Sequence, residues 1–163
     1  MDRNGLSDQQ LAAYLALTEV GNLLQQAVAD QLRADGDLSP VQFQVLALLA
    51  APAAPQYRMT DLADRIVYSR SGFTYQAGQL EKRGLIAREP SPEDERSTVV
   101  RLTDSGRAVL ADVMPGHVEV VRSLLVEAVP DGDVGALSAV LGPVRDRLRN
   151  APPRSARPRR RRG

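Results

Sequence analysis

A chain of 163 residues, 43% hydrophobic and 25% charged, has the length and balance of one ordinary domain able to bury a core, which excludes a fibre or a wholly disordered chain. With no Cys and His117 as its one His, it can hold no disulfide, thiolate zinc site or redox thiol, and neither metal nor cofactor is expected. The net charge of +1 divides unevenly: residues 1–150 carry all 20 acidic and 15 basic side chains, a balance of −5, whereas 151–163 carry six Arg and no acid.

No apolar run reaches the roughly 18 residues that spanning a bilayer requires. The start, Met1-Asp2-Arg3-Asn4-Gly5, lacks the basic-then-apolar pattern of a secretory signal, so a cytoplasmic protein with no membrane partner is expected.

Taken in chain order, the first two helices announce themselves by their caps. Ser7-Asp8-Gln9-Gln10 and Ser39-Pro40-Val41-Gln42 both read S-x-x-Q, a capping box, and Pro40 suits a first helical position. The first helix is predicted to run to about Arg33 through Leu11, Leu15, Leu24, Val28 and Leu32, with Asp35-Gly36-Asp37 as its stop. The second covers about 41–50 through Phe43, Leu46 and Leu49, and Ala51-Pro52-Ala53-Ala54-Pro55 breaks it. Thr60-Asp61 opens a third, short helix with Leu62, Ala63 and Ile66 as its apolar face, followed by a turn at Val67-Tyr68-Ser69.

Ser69 is placed to cap a fourth helix lasting to Arg83, where Gly84 suits a left-handed stop. At about 100° per residue, Phe73, Ala77 and Leu80 fall in one narrow arc. Ser71, Tyr75, Gly78, Gln79 and Lys82 project on the other side, with Thr74 on the flank. From Arg65 to Leu80 there is no Asp or Glu, although the body is acidic on balance. Such a gap suits a surface that meets phosphates.

Beyond Gly84 the apolar period drops to two. Leu85-Ile86-Ala87-Arg88 and Thr98-Val99-Val100-Arg101-Leu102 read as a two-stranded hairpin whose polar tip is Pro90 to Arg96. Thr103-Asp104 then caps a fifth helix through Val109, Leu110, Val113, Val120, Val121 and Leu124, interrupted and kinked near Met114-Pro115-Gly116. Asp131 to Asp133 starts a sixth with Leu137, Val140, Leu141, Val144 and Leu148. The low-complexity, Arg-rich residues 151–163 have nothing to bury and are expected to be disordered.

A short helix, a tight turn, a second helix with a polar outer face and a hairpin make a winged helix-turn-helix, in which the second helix of the pair enters the major groove of double-stranded DNA. The fold class is therefore mainly α with a small β-hairpin wing. Residues 38–102 form the DNA-binding domain in this reading, and residues 7–34 and 103–150 form flanking dimerisation helices. The apolar stripes of helices one, five and six, through Leu11, Leu15, Leu124, Leu137, Leu141, Val144 and Leu148, exceed what a winged domain can cover, so a second copy is expected to bury them.

Six segments in order carry a resemblance: Gln42-Phe43-Gln44-Val45-Leu46, Met59-Thr60-Asp61-Leu62-Ala63, Ser69-Arg70-Ser71-Gly72-Phe73-Thr74, Leu80-Glu81-Lys82-Arg83-Gly84-Leu85-Ile86, Pro92-Glu93-Asp94-Glu95-Arg96-Ser97 and Leu102-Thr103-Asp104-Ser105-Gly106. Their order and spacing, over about residues 10 to 148, resemble the MarR family of bacterial transcriptional regulators. The resemblance implies a homodimer on a pseudo-palindromic operator, taken here as a repressor, released by a small lipophilic or phenolic effector. It also implies that Ser69 to Lys82 is the recognition helix and that Asp94 and Arg96 are the wing's acid and its minor-groove finger.

Base readout is then assigned to Arg70, Thr74, Tyr75, Gln76 and Gln79, and phosphate contact to Arg65, Ser69, Ser71, Lys82, Arg88 and Arg101. Tyr14, Tyr57 and Tyr68 are either core or the lining of an effector cleft, and His117 reads as a packing or capping residue before it reads as a sensor. An enzyme is excluded on inventory: there is no G-x-S-x-G, P-loop, G-x-G-x-x-G or H-E-x-x-H. The rival left standing is a winged-helix module that binds protein, without ligand response.

Overall fold

A computed structural model describes residues 5–52, 57–66, 70–91, 98–130 and 132–150. The expected turn at 67–69, residues 92–96 of the expected hairpin tip and the Arg-rich segment 151–163 lie outside the described residues, whereas Pro90, read as the start of the tip, ends a strand.

Both capping boxes form. Helix α1 (Asp8–Gly36) begins where Ser7 Oγ accepts from the Gln10 amide and Gln10 Oε1 accepts from the Ser7 amide. Helix α2 (Pro40–Ala50) repeats the exchange between Ser39 and Gln42. The α1 stop is sharper than its sequence suggests, because the left-handed residue is Asp37 (φ 49°), one position beyond the glycine. Gly36 is kept helical and small: a Cβ there would run into the Val113 side chain, so α5 approaches α1 at that point.

A strand that the sequence reading lacked follows. Tyr57–Arg58 form β1, and helix α3 (Met59–Arg65) starts straight from it, one residue before the predicted Thr60-Asp61. The Arg58 amide donates to Asp61 Oδ2 at 3.1 Å, so Asp61 does serve the start of the helix. Helix α4 (Arg70–Lys82) ends at Gly84, in the left-handed region as expected (φ 69°), with the Leu85 amide donating to the Leu80 carbonyl.

Strands β2 (Ile86–Pro90) and β3 (Thr98–Leu102) pair antiparallel, Ile86 opposite Leu102 and Pro90 opposite Thr98. The wing is therefore not two-stranded: β1 adds to the other edge of β3, Tyr57 opposite Val100, and the order is β1-β3-β2. Val99 and Val100, neighbours on the central strand, are both buried, where a hairpin with one solvated face would alternate.

Helix α5 (Asp104–Val121) is capped by Thr103, whose Oγ1 accepts from the Gly106 amide at 3.0 Å and donates to the Gly84 carbonyl at 2.7 Å. The predicted interruption at Pro115 does not occur; the helix runs through it. The irregularity falls later, at a π turn (Arg122–Val126) in which the Glu127 amide reaches back five residues to the Arg122 carbonyl. Helix α6 (Asp133–Arg149) closes the described chain.

The core lies in the winged half. Phe43, Val45 and Leu46 of α2, Leu62 of α3, Phe73, Ala77 and Leu80 of α4, and Ile86, Val100 and Leu102 of the sheet meet Leu32 from the end of α1 and Leu110 and Val113 from α5. Tyr57 belongs to this core. By contrast α6 contains no buried residue, and Leu32 is the one buried residue of α1. The architecture is mainly α-helical with a small antiparallel sheet, as the fold class anticipated.

Candidate nucleic-acid interface

Helix α4 has the two faces that its periodicity predicts. Phe73, Ala77 and Leu80 are buried; Thr74, Tyr75 and Lys82 are exposed, and Gly78 and Gln79 are half-buried on the same outer side. Tyr75 is 64% exposed. Arg70 and Ser71 occupy the first turn of the helix, a turn without acid.

Gln76 departs from the outer group. It is half-buried and accepts a hydrogen bond from the Ser39 hydroxyl at 3.3 Å, so it lies on the flank that faces the α1–α2 corner. At 100° per residue Gln76 stands only about 60–70° from the centre of the Phe73–Ala77–Leu80 arc, nearer the core than the outer face. The opposite flank carries Glu81.

Three arginines assigned to phosphates have partners within the chain. Arg88 Nε lies 3.1 Å from Glu81 Oε2, and Arg101 Nε lies 2.6 Å from Glu89 Oε2. The Arg65 guanidinium stands 5.1 Å over the Tyr57 ring, a cation–π contact. These pairs are exposed enough to be weak and exchangeable, but each offsets part of the positive charge that sequence alone credits to the surface. Ser69, Asp94 and Arg96 fall outside the described residues.

His117 belongs elsewhere, at the α2–α5 contact. Its ring packs at 4.5 Å and 47° against Phe43, and its Nδ1 is buried without a hydrogen-bond partner among the described residues. Burial there lowers its pKa from the ordinary histidine value, favouring the neutral ring. That is the packing role expected of it. Among the described residues no group of three or more His, Cys, Asp or Glu could hold a metal ion, and no helix is long and apolar enough to cross a membrane.

Two side chains next to α4 escaped the sequence reading. The sequence presents Ser39 as a cap alone and Arg83 as the end of a helix. Arg83 in fact donates through Nη1 to the Asp37 carbonyl at 2.6 Å and through Nη2 to the Gly36 carbonyl at 2.9 Å. No local pattern announces a bond across 46 residues.

Comparison with known proteins agrees with this geometry. A family model described as MarR family matches residues 36–97, which span α2 to the hairpin. The HTH-type transcriptional regulator PecS of Dickeya dadantii (strain 3937) is 29% identical over 150 residues, covering 91% of this chain and 89% of that protein. Among solved structures, Sco3205, a MarR family transcriptional regulator from Streptomyces coelicolor in complex with DNA, superposes with a TM-score of 0.82 at 29% identity over 95% of each chain. The transcriptional repressor CouR bound to a 23-mer DNA duplex gives 0.70 at 30% identity, covering 87% of this chain and 99% of that one. These relatives are regulators rather than enzymes, and this chain belongs to the MarR family of winged helix-turn-helix transcriptional regulators.

Proposed function

We propose that two copies of this chain act together as a repressor, reading a pseudo-palindromic operator with α4 of each copy in successive major grooves. One observation carries the reading. Helix α4 spends Phe73, Ala77 and Leu80 on the core and leaves Thr74, Tyr75, Gln79 and Lys82 outward, in a stretch free of acid from Arg65 to Leu80. That Sco3205 and CouR are each described with DNA bound supports it. In this reading residues 38–102 bind DNA, and residues 7–34 and 103–150 pair the subunits. The two recognition helices then stand about 34–36 Å apart.

Within α4, Thr74, Tyr75, Gln79 and Arg70 meet base edges, and Lys82, Ser69 and Ser71 meet phosphates. Arg65, Arg88 and Arg101 exchange their internal partners for phosphates, or stay paired and contribute little. Arg96 enters the minor groove beside the hairpin, oriented by Asp94.

An effector has a place to act. A cavity of about 350 Å³ lies between α2, the end of α3 and the end of α6, with Phe43, Ala47, Leu48 and Ile66 giving an apolar lining and Arg65 and Arg149 a cationic one. It has the size and mixed chemistry that a small lipophilic or phenolic acid needs. Of the tyrosines read as either core or cleft lining, Tyr57 is buried in the core and Tyr14 is exposed on α1.

The test is affinity for duplexes from the intergenic DNA upstream of its own gene, measured at two salt concentrations. With roughly 6–10 phosphate contacts, affinity falls by about three to five orders of magnitude between 50 and 200 mM salt. Binding indifferent to salt would point to a winged-helix module for protein partners. Arg96→Ala is expected to weaken operator binding about tenfold or more without changing thermal stability or subunit association; unchanged affinity removes the wing assignment.

A further inference from the structure

Core contacts hold a helix against sliding only loosely, since apolar burial has no direction. Helix α4 is held in a second way, along the flank that carries Gln76 and Arg83. Its anchor is the corner between α1 and α2, which is closed by its own hydrogen bonds. Asp37 takes the left-handed conformation, its amide donates to the Arg33 carbonyl, and the Leu38 amide donates to the Leu32 carbonyl, each at 3.1 Å. Leu38 is buried in the core, and Ser39 at once caps α2.

A helix end of this kind satisfies carbonyls inside the last turn and turns the next ones outward. The outward ones here are those of Gly36 and Asp37, and the Arg83 guanidinium takes both, at 2.9 and 2.6 Å. Two helical turns earlier on α4, about 10 Å along its axis, Gln76 accepts from Ser39. The two ties bracket Leu38 and fix the angle of α4 as well as its height. The fork suits Arg alone: a Lys ammonium has no planar pair of donors to span two carbonyls. It also places a positive charge at the negative end of a 29-residue helix.

We propose that Arg83 is a positioning residue that fixes the recognition helix to α1, and that it thereby restricts the spacing of the two operator half-sites the protein accepts. The proposal rests on the reading of α4 as the DNA-reading helix of a dimer paired through α1. Because α1 belongs to the pairing stem, its C-terminal corner is a fixed point relative to the partner subunit. A helix tied to that corner keeps a set distance from its twin. A helix held by the core alone adjusts to half-sites that are too near or too far.

The experiment uses the full chain, the duplex it protects upstream of its own gene, and two further duplexes with one base pair inserted or removed at the centre. Wild type, Arg83→Ala and Arg83→Lys are compared for affinity on all three, salt slope on the parent duplex, sedimentation and thermal melting. The exposed ties add little to global stability, so melting and dimer mass stay as in wild type. Affinity of Arg83→Ala for the parent duplex falls about tenfold, against the roughly tenfold per 1.4 kcal/mol that one directed interaction supplies. Its affinity for the altered duplexes is unchanged, so spacing selectivity collapses at an unaltered salt slope.

Arg83→Lys behaves like Arg83→Ala, the charge alone giving no rescue. Equal losses on all three duplexes, with the salt slope reduced by about one, make Arg83 a phosphate contact and overturn the proposal. So does unchanged selectivity in a variant that still binds. A wild-type protein that protects no duplex overturns the functional reading and this proposal with it.

Discussion

Leu15→Asp yields a folded but solitary subunit that no longer holds its operator. Leu15 lies on α1 and is 54% exposed in the chain, as Leu124 is on the π turn; Leu11 and Val144 are exposed too, and Leu148 at the end of α6 reaches 71%. A side chain that touches so little of its own subunit has little to lose there, and surface changes of this kind move stability within about 0.5 kcal/mol. Placed in an apolar interface between subunits, the same carboxylate is desolvated without a partner, at a cost of several kcal/mol.

Sedimentation then reports the monomer mass across the micromolar range, with helical content unchanged. Operator affinity drops by about a hundredfold or more, since the second half-site no longer benefits from being tethered to the first. A variant that stays dimeric with native stability would remove α1 from the interface and with it the arrangement proposed for the stem. Half-buried Leu137 and Leu141 on α6 are poorer probes, because contacts within the subunit contribute to any effect they give.

Phe73→Ala acts at the other extreme. Phe73 is 1% exposed at the centre of the winged core, on the inner face of the helix proposed to read DNA. Truncating a buried Phe costs about 3–5 kcal/mol, the lost transfer energy plus the cavity left behind. Domains are stable by only about 5–15 kcal/mol in all, so the variant unfolds at much lower urea and populates unfolded chains near body temperature. Equilibrium urea unfolding followed by circular dichroism measures it. A loss below about 1 kcal/mol would mean that α4 is not packed as described.

Taken together, the two substitutions separate the halves of the molecule: one removes assembly and spares the fold, the other removes the fold. The contrast follows from where the core sits. The sheet, α2, α3 and α4 close around it with the end of α1 and part of α5, while the first turns of α1 are left bare and α6 has no fully buried residue.

Much of this was legible in the residues themselves. The S-x-x-Q boxes at Ser7 and Ser39, the left-handed Gly84, the Thr103 cap and the inner arc of α4 all appear where local chemistry predicts them, because each depends on groups within a few residues of one another. Capping and helical periodicity act over one turn, so one turn of sequence specifies them.

What the sequence could not decide are the bonds made between distant segments. Tyr57–Arg58 is too short to show a period of two and becomes a strand only because β3 offers it an open edge. Helix α5 continues through Pro115 despite a residue that removes a hydrogen bond, held by the close packing of its Val113 turn against α1. The pairing of Arg88 with Glu81, of Arg101 with Glu89, of Gln76 with Ser39 and of Arg83 with the end of α1 depends on which helix lies beside which. Local hydrogen bonding chose the elements; burial of their apolar faces against one another chose the neighbours, and only then did each polar side chain acquire its partner.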